Sequence, residues 1–205
     1  AVEFHLTDKD IQKDVHIEEK YPDTSLFIHA PEYWSNDLID FASDEERVRN
    51  LSKDMIQKVI KTTQNLSKLF KKDKKNYIVF HPGGMMPYSV ALENILPNIY
   101  RYKYLKDLFY KIHVPGIELL VENMPPFPWY FGGQWVHTIF LDENEIINFC
   151  LETHSRICLD ISHAALYCNY QKKDLNKYIS KLLPYTAYVH IAYGAGVDCE
   201  GLQIG

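Results

Sequence analysis

Four of the nine histidines stand directly behind short β-rich runs: His29 after Ser25-Leu26-Phe27-Ile28, His81 after Tyr77-Ile78-Val79-Phe80, His163 just beyond Ile157-Cys158-Leu159-Asp160, and His190 after Ala187-Tyr188-Val189. Carboxylates take the matching place elsewhere: Glu122 after Ile117-Glu118-Leu119-Leu120-Val121, Asp160 itself, and Asp198 and Glu200 downstream of His190. Imidazole and carboxylate without thiolate form a borderline-to-hard donor set that suits Zn²⁺, Mn²⁺, Co²⁺ or Fe²⁺. The Asp160-Ile161-Ser162-His163 spacing lets a strand-end side chain and one in the next segment serve a single cavity. Each residue alone reads more simply as a hydrogen-bonded loop histidine, a cap or a turn carboxylate. Their recurrence at equivalent positions is what points to a divalent cation. The other histidines, His5, His16, His113, His137 and His154, follow no such rule.

Residues so scattered meet only if the fold gathers strand ends. Six runs read as strands: Val2–Leu6, Ser25–Ile28, Tyr77–Phe80, Ile117–Val121, Ile157–Leu159 and Ala187–Ile191. Between the second and third, Ser43 and Glu46 have capping-box spacing, and Val48, Leu51, Met55, Val59, Leu66 and Leu69 recur at helical intervals. Further helices are predicted from Leu92, Ile95, Leu96 and Ile99 towards Leu105, Leu108 and Ile112; around Ile146, Ile147 and Phe149 after Asp142; and around Leu175, Tyr178, Ile179 and Leu182 after Asp174. Strand–helix alternation predicts an α/β fold with a parallel sheet, either doubly wound or closed into a barrel. In both, the C-terminal strand ends share one face, so the ligand candidates converge.

Composition narrows the function classes. With 205 residues, 46% hydrophobic and 24% charged, the chain can bury a sizeable core, and a single domain over residues 1–205 is expected. Twenty-two Lys and Arg against 27 Asp and Glu give a net charge of -5, which argues against a phosphate-backbone partner such as nucleic acid. No apolar run has membrane-spanning length, and no signal-peptide pattern opens the chain, so a cytoplasmic protein with no membrane partner is expected. Cys150, Cys158, Cys168 and Cys199 lie apart without a CxxC pair, the usage of reduced thiols. No Gly-rich phosphate-binding motif suggests a nucleotide. Self-association into a homo-oligomer is compatible with all of this.

The motifs Phe27-Ile28-His29-Ala30-Pro31, Val79-Phe80-His81-Pro82-Gly83-Gly84, Leu120-Val121-Glu122-Asn123-Met124-Pro125, Cys158-Leu159-Asp160-Ile161-Ser162-His163-Ala164 and Val189-His190-Ile191 resemble, in order, the strand-end signatures of the xylose isomerase-like TIM-barrel superfamily (the AP endonuclease family 2 fold). The stretches from Glu122 to Gln134 and from Gly196 to Gly205 look most like its sugar-phosphate isomerase/epimerase members. The resemblance implies a (β/α)8 TIM barrel in which Glu122, Asp160 and His190 match three ligands of the central metal. The fourth would be a glutamate on the last strand, and no such residue is found here. The pattern places Ala1–Leu6 on the second strand and His190 on the seventh, so the first and eighth strands are not in the sequence, which is expected to be part of a longer polypeptide. In the endonuclease-like branch, His29 and His81 help hold a second metal, and His163 with Asp198 and the position of Glu200 a third. Glu200 stands where that branch has His.

The resemblance implies a divalent cation, Zn²⁺ or Mn²⁺, and a small-molecule sugar or sugar phosphate as partner. The expected reaction is isomerisation or epimerisation by removal of a proton next to a carbonyl through a metal-stabilised enediolate. Glu122 is the expected acid/base, with His163 orienting hydroxyls or stabilising the oxyanion. Aromatic residues crowd the same loops, and Trp34, Trp129 and Phe131, with Asn123, are expected to contact substrate. The competing readings are metal-dependent phosphodiester hydrolysis of the endonuclease IV type, dehydration of a keto-sugar or inosose, and a catalytically silent sugar-binding module.

Overall fold

A period of two governs how each strand is used. In the computed structural model, which describes residues 1–13, 17–35, 37–71, 75–93, 99–128 and 134–204, six strands form one parallel sheet. They are β1 Val2–His5, β2 Leu26–His29, β3 Asn76–Phe80, β4 Ile117–Glu122, β5 Ile157–Asp160 and β6 Thr186–His190. Their spatial order is their sequence order. A doubly wound sheet would reverse order at a switch point, and here nothing reverses, so the choice left open by the strand–helix alternation falls to the barrel. Six successive strands of a barrel wall are present, with β1 and β6 as the edges.

Outward-facing Leu26, Ile28, Ile78, Phe80, Leu119, Val121, Ile157 and Leu159 belong to the main apolar core. The helices close over them: α1 Asp8–Gln12, α2 Glu46–Leu66, α3 Tyr88–Glu93, α4 Ile99–Lys111, α5 Glu143–Thr153, α6 Ile161–Gln171 and α7 Leu175–Leu182. Met55, Ile56 and Val59 of α2, Leu105 and Leu108 of α4, Ile146 and Phe149 of α5 and Leu182 of α7 join the same core. Each such side chain contributes about 1.5–3 kcal/mol by leaving water. The α5 and α7 starts are as read: Asp142 and Asp174 accept hydrogen bonds from the first-turn N–H groups. The Ser43/Glu46 box does not form. α2 begins at Glu46 without a side-chain cap, because Ser43 Oγ instead accepts from Glu45 N–H within the preceding turn.

Inward-facing Val79, Leu120 and Cys158 make a second, smaller cluster with Tyr77, Ala187 and Tyr188. Phe27 of β2 stacks on Tyr77 of β3 at 4.8 Å and on Tyr188 of β6 at 4.0 Å. A side chain on the second strand touches one on the sixth only if the sheet is curled. Towards the N-terminal strand ends, Arg156 donates to both oxygens of Glu118 at 2.8 and 2.9 Å. The opposite end, where the strands finish, is left to the polar residues.

The turn after β3 is fixed by two glycines in the left-handed region, Gly83 (φ +79°) and Gly84 (φ +73°). Asp40 Oδ1 accepts from Gly84 N–H at 2.7 Å and Ala42 N–H at 2.9 Å, clamping the segment that follows His81. A Cβ on Gly83 would lie 2.1 Å from Asp40 Oδ1 and 2.6 Å from Asp40 Cα, and φ is adverse as well. Gly83→Ala should therefore cost about 3 kcal/mol, the upper range for overpacking, in urea denaturation. A loss within error of zero would show that the clamp yields freely.

Candidate metal centre and active site

Strand alternation delivers one polar side chain after another to the barrel mouth. His5 ends β1 two residues after Glu3, His29 ends β2, His81 follows β3, Glu122 ends β4, Asp160 ends β5 and His190 ends β6. Asp160 is also the N-cap of α6: its Oδ1 accepts the His163 N–H at 2.7 Å, so strand and helix meet with no loop between them. Glu200 arrives from a hairpin of Tyr193–Ala195 and Cys199–Leu202, which is seated on α6 through the bond from Gly201 N–H to Ser162 Oγ at 3.1 Å. Except for Glu3, the strand-end residues, His163 and Glu200 line a cleft of about 500 Å³ together with Thr7, Pro31, Glu32 and Tyr33. A larger hollow of about 840 Å³ among α4, α5 and α6 holds none of them.

Glu122 sits at the centre, with 2% of its surface exposed. Its Oε2 lies 3.1 Å from His29 Nε2 and 3.2 Å from His81 Nε2; its Oε1 lies 2.9 Å from His190 Nδ1 and 3.7 Å from His163 Nδ1. The two oxygens thus serve separate pairs of rings, the posture of a bridging carboxylate. His29 donates from Nδ1 to the Ala30 carbonyl at 2.9 Å, and His163 from Nδ1 to the Asn123 carbonyl at 2.8 Å. A neutral ring that donates at Nδ1 carries a lone pair at Nε2. That lone pair faces Glu122 in His29 and Glu200 Oε2, 3.4 Å away, in His163. Lone pair against lone pair is repulsive unless a proton or a cation lies between.

His190 presents both nitrogens to carboxylates, Nδ1 to Glu122 and Nε2 to Glu3 at 2.9 Å. One divalent cation can answer several such confrontations at once, so the donors present fit a metal. Among the described residues, three sets have ligand atoms all within 4.8 Å of one another: His29, His81 and Glu122; Glu122, Asp160 and His163; and Glu122, Cys158 and His190. Hydrogen bonds from the far nitrogen orient ligating histidines in the way a second shell does.

Burial and the facing charges together set the proton affinities of these groups. Burial drives Glu122 up, but hydrogen bonds from His190, His29 and His81 hold it well below the usual carboxylate range. Burial lowers the His163 ring, and Glu200, Asp160 and Glu122 outweigh this and raise it to about 9. His29 and His190 are likewise raised against burial, His29 chiefly by Glu122 and His190 by Cys158, Glu122 and Glu3. Asp160 is raised, first by burial. Among the described residues no Lys or Arg lines the cleft, and the histidines are the groups there that can balance the carboxylates.

The structure brings His29, His81, Glu122, Asp160, His163, His190 and Glu200 into one place. It does not bring Asp198, which is exposed at the hairpin turn. Trp34 is 8% exposed, packs in the main core, and lies under Lys58 Nζ at 4.2 Å; its neighbour Tyr33 faces the cleft instead. Asn123 is buried, with both ends of its amide on the Asp160 backbone, donating at 3.0 Å and accepting at 2.7 Å, and so positions Asp160 rather than facing substrate. Trp129 and Phe131 lie outside the described residues. Glu3 and His5 were missed. His5 lines the cleft, pairs in register with His29 and stacks on its ring at 4.5 Å. The available signal was the alternation Glu3, His5 in a run already read as a strand.

A family model described as xylose isomerase-like TIM barrel matches residues 4–200. Among solved structures, a D-allulose 3-epimerase from Methylomonas sp., in complex with D-allulose, superposes with a TM-score of 0.51 at 14% identity, covering 82% of this chain and 50% of the epimerase. This chain therefore spans half that protein's length. A xylose isomerase domain protein from Planctomyces limnophilus superposes with a TM-score of 0.53 at 10% identity, covering 92% of this chain and 82% of that one. No curated protein matches the sequence.

The raised His163 predicts how the metal-free protein responds to pH. A ring at about 9 when folded and roughly 6.5 when unfolded stabilises the fold fully below pH ~6.5 and loses that contribution as pH rises through ~9, about 3 kcal/mol in all. The melting temperature of chelator-treated protein should fall across this window, and less steeply in His163→Asn. An equal slope in both would dissociate His163 from the effect.

Proposed function

The chain belongs to the xylose isomerase-like TIM-barrel family, and from that premise we propose that it isomerises or epimerises a sugar by moving a proton on the carbon next to a carbonyl, with a divalent cation as cofactor. The observation that carries this reading is one buried carboxylate, Glu122, held among four imidazoles at the mouth of a barrel, beside an open cleft of about 500 Å³. The ligand at home in a structure of the same fold, D-allulose, belongs to the substrate class proposed. The cleft lining of His5, Thr7, Tyr33 and the histidine cluster suits hydroxyl groups. Among the described residues no Lys or Arg lines it to meet a phosphate, which favours binding through the sugar itself.

Glu122 Oε1, Asp160 and His190 would hold the central cation, which leaves Glu122 Oε2, beside His29 and His81, available to take a proton. When bound, the cation supplies Lewis acidity, lowering the energy of negative charge on the substrate's carbonyl oxygen. Glu122 accepts the proton from carbon. Its low proton affinity keeps it ionised, and it acts only on a carbon whose acidity the bound state has raised. Asp160 stays fixed by the α6 cap and by Asn123, so the ligand geometry survives each turnover. His163, tethered through Nδ1 to the Asn123 carbonyl, turns Nε2 to the cleft and donates to the oxygen on which charge develops. Tyr33 and His5 form the outer wall and bound the space for the sugar ring.

The bridging posture of Glu122 supports a second reading, two-cation phosphodiester hydrolysis. Rapid, chelator-sensitive nicking of abasic duplex DNA would replace the proposed reaction with that one.

Deuterium exchange from solvent into a panel of ketoses, with elemental analysis of the same samples, tests the proposal. Glu122→Gln should lower exchange by about 10²- to 10⁴-fold with the circular dichroism spectrum unchanged. Asp160→Ala and His190→Ala should lose bound metal. Undiminished exchange in Glu122→Gln would remove it as the base, and full metal content in both alanine variants would remove the cation site.

A further inference from the structure

Beneath the ligand cluster, Cys158 points into the barrel interior. It is the register partner of Glu122, fully buried, and packed with Val79 and Leu120. Its Sγ, a Glu122 oxygen and a His190 nitrogen all lie within 4.8 Å of one another. None of the other free cysteines, Cys150, Cys168 and Cys199, shares such a group among the described residues. The proposed chemistry uses His190 and Glu122 from above and leaves this sulfur idle.

We propose that Cys158 is a soft ligand at the floor of the centre, giving a nitrogen, oxygen and sulfur position that takes Zn²⁺ or another thiophilic cation, while Mn²⁺ is held by the upper oxygen and nitrogen donors alone. The inference rests on the proposed cation site and adds to it a basis for metal choice. Three donors of three kinds converge from the adjacent strands β4, β5 and β6, with their ligand atoms already within 4.8 Å of one another, so no segment has to move to form the position. Sulfur ranks zinc, cadmium and cobalt above manganese, whereas carboxylate and imidazole alone discriminate far less. The buried wall around the position excludes water that would compete for the cation. On binding, the thiol proton leaves to solvent as the metal–sulfur bond forms, and no electrons are transferred.

The test uses Co²⁺ as the probe in the full chain carrying Cys199→Ser, which removes the exposed thiol. Cobalt-loaded protein should show a near-ultraviolet sulfur-to-cobalt charge-transfer band, absent when Mn²⁺ is loaded instead. Adding Cys158→Ser should abolish the band and weaken Zn²⁺ binding by at least about tenfold, with Mn²⁺ binding unchanged. Cobalt bound in full without the band, or a band that persists in Cys158→Ser, overturns the role of sulfur and leaves the cation centre standing. No cobalt uptake by the parent protein overturns both. If Cys158→Ser does not fold, the parent spectrum and that of Cys158→Ala decide the question.

Discussion

A carboxylate buried at the axis of a barrel is the constraint to which the rest of the site answers. Removing an ion such as Glu122 from water costs several kcal/mol, and hydrogen bonds or opposite charge must offset it. Here four rings from four different segments supply the offset, so their positions are not independent. His29 and His81 are set by β2 and β3, His190 by β6 and His163 by α6. Each of those elements is held by the apolar face it turns outward, and the electrostatics of the mouth therefore rest on the packing of Ile28, Phe80, Leu159 and their helical partners.

The same strands divide two tasks by parity. Odd and even positions separate a greasy outer layer, where α2, α4 and α5 pack, from an inner file that grades from ring stacking at Phe27 and Tyr188, through Val79 and Leu120, to ionisable groups at the top. The gradient keeps water from reaching Glu122 from below and leaves the cleft as its route to solvent. A cation held there would take the place of protons on His29, His163 and His190, the rings whose proton affinity the carboxylates raise.

Most of this was legible in the amino-acid order because strand ends are marked locally: an apolar run, then His or a carboxylate. His29, His81, Glu122, Asp160 and His190 are found that way, and all reach the cleft. What failed was what local order does not encode. Glu3 and His5 lie inside the run, where only knowing which parity faces inward would expose them. Trp34 and Tyr33 are adjacent and aromatic, and one-residue alternation in the short strand Tyr33–Trp34 sent the wrong one into the core. Asn123 follows a ligand yet has both amide ends on the neighbouring strand, a pairing invisible before β4 and β5 are placed side by side. Asp198 has the right spacing for a hairpin ligand, but the hairpin turns Glu200 inward instead. The order of strands in space, which distinguishes barrel from open sheet, is a global property that alternation alone leaves undetermined.

Asp160 is the last residue of β5, and α6 begins with the next residue. A junction without slack behaves as a rigid corner, whereas β2 and β3 are each followed by several residues of irregular chain before the next element. The mouth is thus asymmetric in stiffness: one jamb is welded to a helix and the other is hung on loops. Any breathing that admits or releases a guest falls to the side of Pro31 and Glu32, and turnover would register there as amide exchange while the Asp160 corner stayed still.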